Sequence, residues 1–220
     1  MIPALEALDR LREGNRHFVA DIQRDKQIAP RRAELASGQE PFAIILGCSD
    51  SRVPAELIFD QGLGDLFVIR VAGNIVAPSQ IGSVEFAAER FHTRLVVVIG
   101  HTQCGAITAT IEELERPNEN QSRNLRDIVD RIRPAVEPLF KTKLREHHDE
   151  LVKEAVRANV RVATDHLRHG SSILEQLIAN EGLMIVGAEY SLETGIVDFF
   201  DVPRRRSGKV VKRGAERRKK

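Results

Sequence analysis

The chain has no tryptophan at all, and only two cysteines, Cys48 and Cys104, in 220 residues. In an exported protein such a pair could close a disulfide. The opening Met1-Ile2-Pro3-Ala4-Leu5-Glu6, however, lacks the basic start and apolar centre of a secretory signal, so a reducing cytoplasm is expected. No apolar run approaches the roughly 18 residues of a membrane span, which excludes a transmembrane helix. Gly62-Leu63-Gly64-Asp65 has neither G-x-G-x-x-G spacing nor a phosphate-binding lysine, so nucleotide binding has no support. There is no internal repeat and no low-complexity stretch before the C-terminal residues. Residues 1–203 are therefore expected to form a single domain.

Charge of one sign is also unevenly supplied. Residues 204–220 carry ten Lys/Arg against the single acid Glu216, while the other 203 residues hold 23 Lys/Arg against 31 Asp/Glu. An acidic body thus carries a basic tail whose formal charge is hidden in a net +1. The tail has no interleaved aromatics and matches no nucleic-acid-binding pattern, so it is expected to be a disordered, solvated segment. With 42% hydrophobic and 30% charged residues, the composition is that of a globular chain.

Residues 3–20 place Leu5, Leu8, Leu11 and Phe18 at helical intervals among charges, an amphipathic helix that needs a surface to lie on. Four short apolar runs follow: Phe42–Leu46, Leu66–Ile69, Leu95–Ile99 and Leu183–Val186. They are continuous rather than alternating, as strands buried on both faces of a parallel sheet are. Helical patterns lie between them, over 80–91, 105–114, 125–140 and 150–169. This alternation predicts an α/β fold with a mostly parallel sheet, four parallel strands flanked by helices. Gly195–Phe200 follows the fourth run after a short turn and reads as an antiparallel edge strand. Pro117-Asn118-Glu119-Asn120-Gln121-Ser122 reads as a polar loop between helices.

Ligand sites in parallel α/β sheets lie at the carboxyl ends of strands. The first run ends in Gly47-Cys48-Ser49-Asp50-Ser51-Arg52 and the third in Gly100-His101-Thr102-Gln103-Cys104-Gly105, so both cysteines fall at such ends. Two thiolates and an imidazole suit Zn²⁺, and three protein ligands leave a coordination position for water. The plainer alternatives are two buried thiols beside a satisfied histidine, or a disulfide. Asp50 could ligate the metal or accept a hydrogen bond from its water, with the Arg52 fork keeping it ionised and oriented. Without the Cys and His residues nearby, a surface ion pair would be the better reading. His147-His148 falls at a polar helix junction, and His166 and His169 lie one turn apart on a solvated helix; none suggests a metal site.

Cys48-Ser49-Asp50-Ser51-Arg52 followed by His101-Thr102-Gln103-Cys104 resembles the paired signature of the β-class carbonic anhydrases. Val53–Glu56, Phe67–Asn74, Gly82–Ala87, Gly187–Tyr190 and Thr194-Gly195 resemble that family as well, so the similarity runs from about residue 3 to 200. The resemblance implies one zinc per chain on Cys48, His101 and Cys104, and an Asp50–Arg52 catalytic dyad. It implies reversible hydration of carbon dioxide to bicarbonate and a proton through a zinc-bound hydroxide. Carbonyl sulfide or carbon disulfide hydrolysis on the same site, or a non-catalytic zinc-stabilised scaffold, are the alternatives. Gln39 matches the family's substrate-binding amide, Phe67 and Ala72 its apolar wall, and Gly105 the helix start that can face an anion. Phe86 stands where the family often has a tyrosine that reaches the neighbouring subunit's pocket. A homodimer or homotetramer is implied, with the N-terminal helix packing on a neighbour. One branch of the family binds bicarbonate at a second site built from Trp, Arg and Tyr. Arg70 and Tyr190 match it here, but Ile45 replaces the tryptophan and cannot donate a hydrogen bond.

Overall fold

The computed structural model describes residues 2–22, 28–117 and 122–203. The basic tail 204–220 and residues 118–121 of the polar loop lie outside the described residues. In chain order the elements are α1 (Ala4–Val19), α2 (Ile28–Glu34), β1 (Ala43–Gly47), α3 (Ala55–Ile58), β2 (Leu66–Arg70), α4 (Pro78–Arg90), β3 (Leu95–His101), α5 (Gly105–Glu115), α6 (Arg123–Phe140), α7 (His148–His169), α8 (Ser172–Asn180), β4 (Met184–Tyr190) and β5 (Val197–Asp201). Short 3₁₀ turns occur at Leu35–Ser37, Ala72–Asn74 and Lys143–Glu146.

The strands form one sheet in the order β2-β1-β3-β4-β5. The first four are parallel and β5 runs antiparallel along β4, as expected. Both faces are covered, which is why the strands read as unbroken apolar runs. Ala43, Ile45, Leu95, Val97 and Ile99 face one layer with α1 and α3. Ile44, Leu46, Val96 and Val98 face the other, with α4, α7 and α8. From β1 the chain crosses to β2 on one side and then returns to β3 on the other. The carboxyl ends of β1 and β3 therefore flank the topological switch point, where a crevice opens in folds of this kind.

Helix α1 buries Ala7, Leu8 and Leu11 fully within its own chain, while Leu5 and Phe18 of the same stripe stay exposed. Gly14 is what permits the approach, because a Cβ there would meet the Phe59 carbonyl oxygen at 1.8 Å. Next to it, Asn15 donates to the carbonyls of Ile58 (3.2 Å) and Gly195 (2.9 Å) and accepts from the Val197 amide (2.9 Å). One buried side chain thus ties the N-terminal helix to β5 and to the end of α3. A helical stripe shows that a surface is needed, not which chain supplies it. Asn15→Ala strands three backbone groups and is expected to cost about 3 kcal/mol, given roughly 1 kcal/mol or more per buried hydrogen bond lost. Chemical denaturation measures it, and a loss within error of zero would mean that the helix is held elsewhere.

Candidate metal centre

β1 and β3 lie side by side, with Gly47 in register with Ile99. The residue that follows β1 and the residue that ends β3 therefore emerge together, and these are Cys48 and His101. The chain then turns sharply through Gln103, at φ 55°, so that Cys104 comes back toward His101 just before α5 begins. The turn is held from outside: Glu193 accepts from the Thr102 hydroxyl (2.9 Å) and the Gln103 amide (2.7 Å). Among the described residues, Cys48, His101 and Cys104 form the cluster suited to a metal ion, their ligand atoms all within 4.8 Å of one another and all three side chains buried.

The donor chemistry fits a metal. His101 Nδ1 lies 2.8 Å from the Thr102 carbonyl, to which it donates, so the lone pair is on Nε2. That Nε2 is buried without a hydrogen-bond partner, a costly arrangement unless the lone pair has a cation to bind. The two buried thiols pull each other's pKa in opposite directions. The Cys104 hydrogen bond pulls Cys48 down to about 4 against the opposing effect of burial, with His101 and the amides of Asp50 and Gly73 adding to the pull. Cys104 moves up, through that same bond and its burial. For His101, burial works to lower the pKa but loses to the Cys48 sulfur and the Thr102 carbonyl, leaving it raised. A divalent cation bound here would displace the thiol protons, and both sulfurs would then hold it as thiolates.

Asp50 and Arg52 stand at the mouth. Arg52 donates from its backbone N (2.9 Å) and Nε (3.0 Å) to Asp50 Oδ1, and from Nη2 (2.7 Å) to Oδ2. This fork holds the Asp50 carboxyl well below the usual carboxylate range. The same Oδ2 is 3.9 Å from His101 Nε2, so the carboxylate lies beside the position a metal would take. Arg70, which matches a residue of the family's second anion site, also clamps the ligand loop, donating to the carbonyls of Cys48 (3.1 Å) and Asp50 (2.6 Å). Ile45 is fully buried and Tyr190 nearly so. Ala72 and Gly105 sit beside the cluster, Ala72 in the turn whose Gly73 amide donates to Cys48 Sγ at 3.4 Å.

Gln39, Phe67 and Phe86 are not brought to this cluster within the chain. Gln39 precedes β1 and Cys48 follows it, and four steps of about 3.3 Å along the strand separate its two ends by about 13 Å. Gln39 lines a cleft with Arg10, Phe42, Arg90 and Phe91 at the opposite end of the sheet. Phe67 lies near the start of edge strand β2, with its ring 6.2 Å from Phe86 and 6.0 Å from Phe91. Phe86 itself is 54% exposed.

Two cysteines and a histidine at the switch point of a parallel sheet, with an acceptor carboxylate at the mouth, define an α/β protein with a site suited to a single metal ion. The profile of the family described as Carbonic anhydrase matches residues 43–197. Carbonic anhydrase 2 of Mycobacterium tuberculosis is 40% identical over 186 residues, covering 84% of this chain and 87% of that one. The carbonic anhydrase of Mycolicibacterium smegmatis is 41% identical over 189 residues, covering 86% and 89%. The crystal structure of the β-carbonic anhydrase CafA of Aspergillus fumigatus superposes with a TM-score of 0.71 at 26% identity, covering 91% and 92%. The chain belongs to the carbonic anhydrases, in their β class, and is an enzyme of the lyase type. No helix among the described residues is long and apolar enough to cross a membrane.

Proposed function

We propose that this chain hydrates carbon dioxide reversibly to bicarbonate and a proton, using one Zn²⁺ held by Cys48, His101 and Cys104, with residues 1–203 acting as one catalytic domain in the cytoplasm. The observation that carries the reading is the buried, unpartnered His101 Nε2 facing two thiols beside the Arg52-bound Asp50. Bound zinc supplies a water acidic near neutral pH, with a pKa of about 7 for which carbonic anhydrase is itself the type case. Asp50, kept ionised by Arg52, would accept a hydrogen bond from a water on that metal and hold it facing the substrate. Held in the Arg52 fork, Asp50 would stay off the metal position. Ala72 lines the apolar side of the pocket, and the α5 N-terminus at Gly105 offers backbone N–H groups to the bicarbonate product. A structural zinc would need neither Asp50 nor Arg52, which weighs against the scaffold. The test assays carbon dioxide hydration and carbonyl sulfide hydrolysis on one zinc-loaded preparation. Hydration is expected to dominate; sulfide release without hydration would overturn the reading.

The reading includes a homodimer or larger assembly. Gln39, Phe67 and Phe86, about a strand's length from their own metal cluster, complete the pocket of a neighbouring subunit across the β2 edge. Hybrid subunits test this. Gln39→Ala and Cys48→Ala enzymes, each impaired alone, are expected to regain activity on mixing and refolding, since one site of each hybrid is intact. Absence of any regain in verified hybrids would place Gln39 outside the partner's pocket.

The second anion site is expected to be silent. Its tryptophan position is the buried Ile45, and the Arg70 guanidinium is committed to two loop carbonyls. Activity measured against pH, with and without bicarbonate, should show product inhibition alone. Cooperative loss below about pH 8, deepened by bicarbonate beyond product inhibition, would show that the switch survives.

A further inference from the structure

Helix α7 packs against the sheet through Val156, Val160 and Ala163, yet its inward face also carries Asn159, which is 2% exposed. Burying an amide where a hydrophobe would pack costs stability unless its hydrogen bonds are worth more. Asn159 Nδ2 donates 2.8 Å to the carbonyl of Gly73, 86 residues away in sequence. Gly73 lies in the 3₁₀ turn after β2, at φ 67°, and its own N–H donates to Cys48 Sγ at 3.4 Å.

The Gly73–Asn74 peptide is held at both ends, its carbonyl by Asn159 and its N–H by the Val71 carbonyl at 3.0 Å. A glycine has the widest backbone freedom of any residue, so an unpinned Gly73 could rotate its preceding N–H away from the sulfur. Its Cα is also closely fitted, since a Cβ there would meet Ile132 Cδ1 at 2.7 Å and Ala106 Cβ at 3.0 Å. Side chains from α5 and α6 thus fix where the turn sits, and Asn159 from α7 fixes how its peptide faces.

We propose that Asn159 is a positioning residue for the metal centre, acting through Gly73 to keep a backbone N–H on the Cys48 sulfur. This rests on the reading of Cys48, His101 and Cys104 as the metal site. Such an N–H draws electron density from a thiolate and orients it, so its loss leaves a more electron-rich and less well-placed ligand.

The test replaces zinc with Co²⁺ and follows the thiolate-to-cobalt charge-transfer band, together with zinc retention against a chelator. In Asn159→Leu the band is expected at lower energy than in wild type, with zinc affinity weaker by about tenfold, the usual scale of such outer contacts. Val160→Ala, which loosens the same helix without touching the turn, should lower Tm but leave the band in place. Asn159→Ser, whose hydroxyl is too short to reach Gly73, is expected to shift the band likewise and serves if the Leu variant does not fold. An unshifted band with wild-type zinc retention in a folded Asn159 variant would overturn the proposal, as would an equal shift in Val160→Ala. Failure of the wild-type enzyme to show any thiolate band would instead overturn the metal-site reading beneath it.

Discussion

His101→Ala is expected to abolish zinc binding and to lower carbon dioxide hydration by about 10³-fold or more, since the water that zinc acidifies supplies most of the rate. The substitution removes the Nε2 lone pair that points into the cluster and leaves two buried thiols. A second effect distinguishes ligand loss from general damage. A metal that binds the folded state and not the unfolded one adds its binding free energy to stability. A strong chelator should therefore lower Tm in the wild type and leave His101→Ala unchanged. Elemental analysis decides the case, and full zinc occupancy in this variant, or in Cys104→Ala, would remove that residue from the site.

Arg52→Ala is expected to keep its zinc and lose on the order of 10²-fold in turnover, the scale of removing one positioned proton-transfer partner. The side-chain fork is what holds the Asp50 carboxylate away from the metal position, with Oδ2 already 3.9 Å from His101 Nε2. Released, the carboxylate swings in as a fourth ligand and closes the site. X-ray absorption at the zinc edge should show the water replaced by a carboxylate oxygen. Asp50→Ala should lose similar activity with the water still bound. Wild-type turnover in Arg52→Ala would remove the gate-keeping role, and Arg52→Lys should rescue little because a single ammonium cannot reproduce the fork.

The dyad also has a pH consequence. The folded-state pKa of Asp50 is depressed by Arg52, so the pair's contribution is fully present above the ordinary carboxylate range near 4 and is lost only as pH falls below it. Activity lost between neutral pH and pH about 5 in the wild type should therefore follow the zinc-bound water, with a midpoint of about 7, rather than Asp50.

Much of the metal centre was legible because its parts are local. Cys48, Asp50 and Arg52 lie within five residues, as do His101 and Cys104, and both groups follow apolar runs that only a buried strand explains. The Asp50–Arg52 pair needs no fold to bring it together, only a loop. The long helices were legible from their 3.6-residue spacing. Helix α3, with four residues, is too short to carry a period, and α2 and α8 were not anticipated at all. β4 runs on from the apolar 183–186 to Tyr190 because its later residues pair with both β3 and β5. Glu189 can sit in that buried strand because Arg157 reaches it at 2.9 Å, a partner no local pattern announces.

What the sequence determined, then, were the chemical groups and the strands that carry them: period, composition and short-range spacing fix those before any long-range contact forms. Tertiary structure alone decided which elements share a surface. It set Ala7, Leu8 and Leu11 of α1 against their own sheet through Gly14 and Asn15, and put Gln39 about a strand's length from the cysteine that follows the same strand. It also brought Asn159 onto Gly73 across 86 residues. Each of these depends on strand order and crossover path, which arise from the packing of distant segments and leave no periodic trace in the chain.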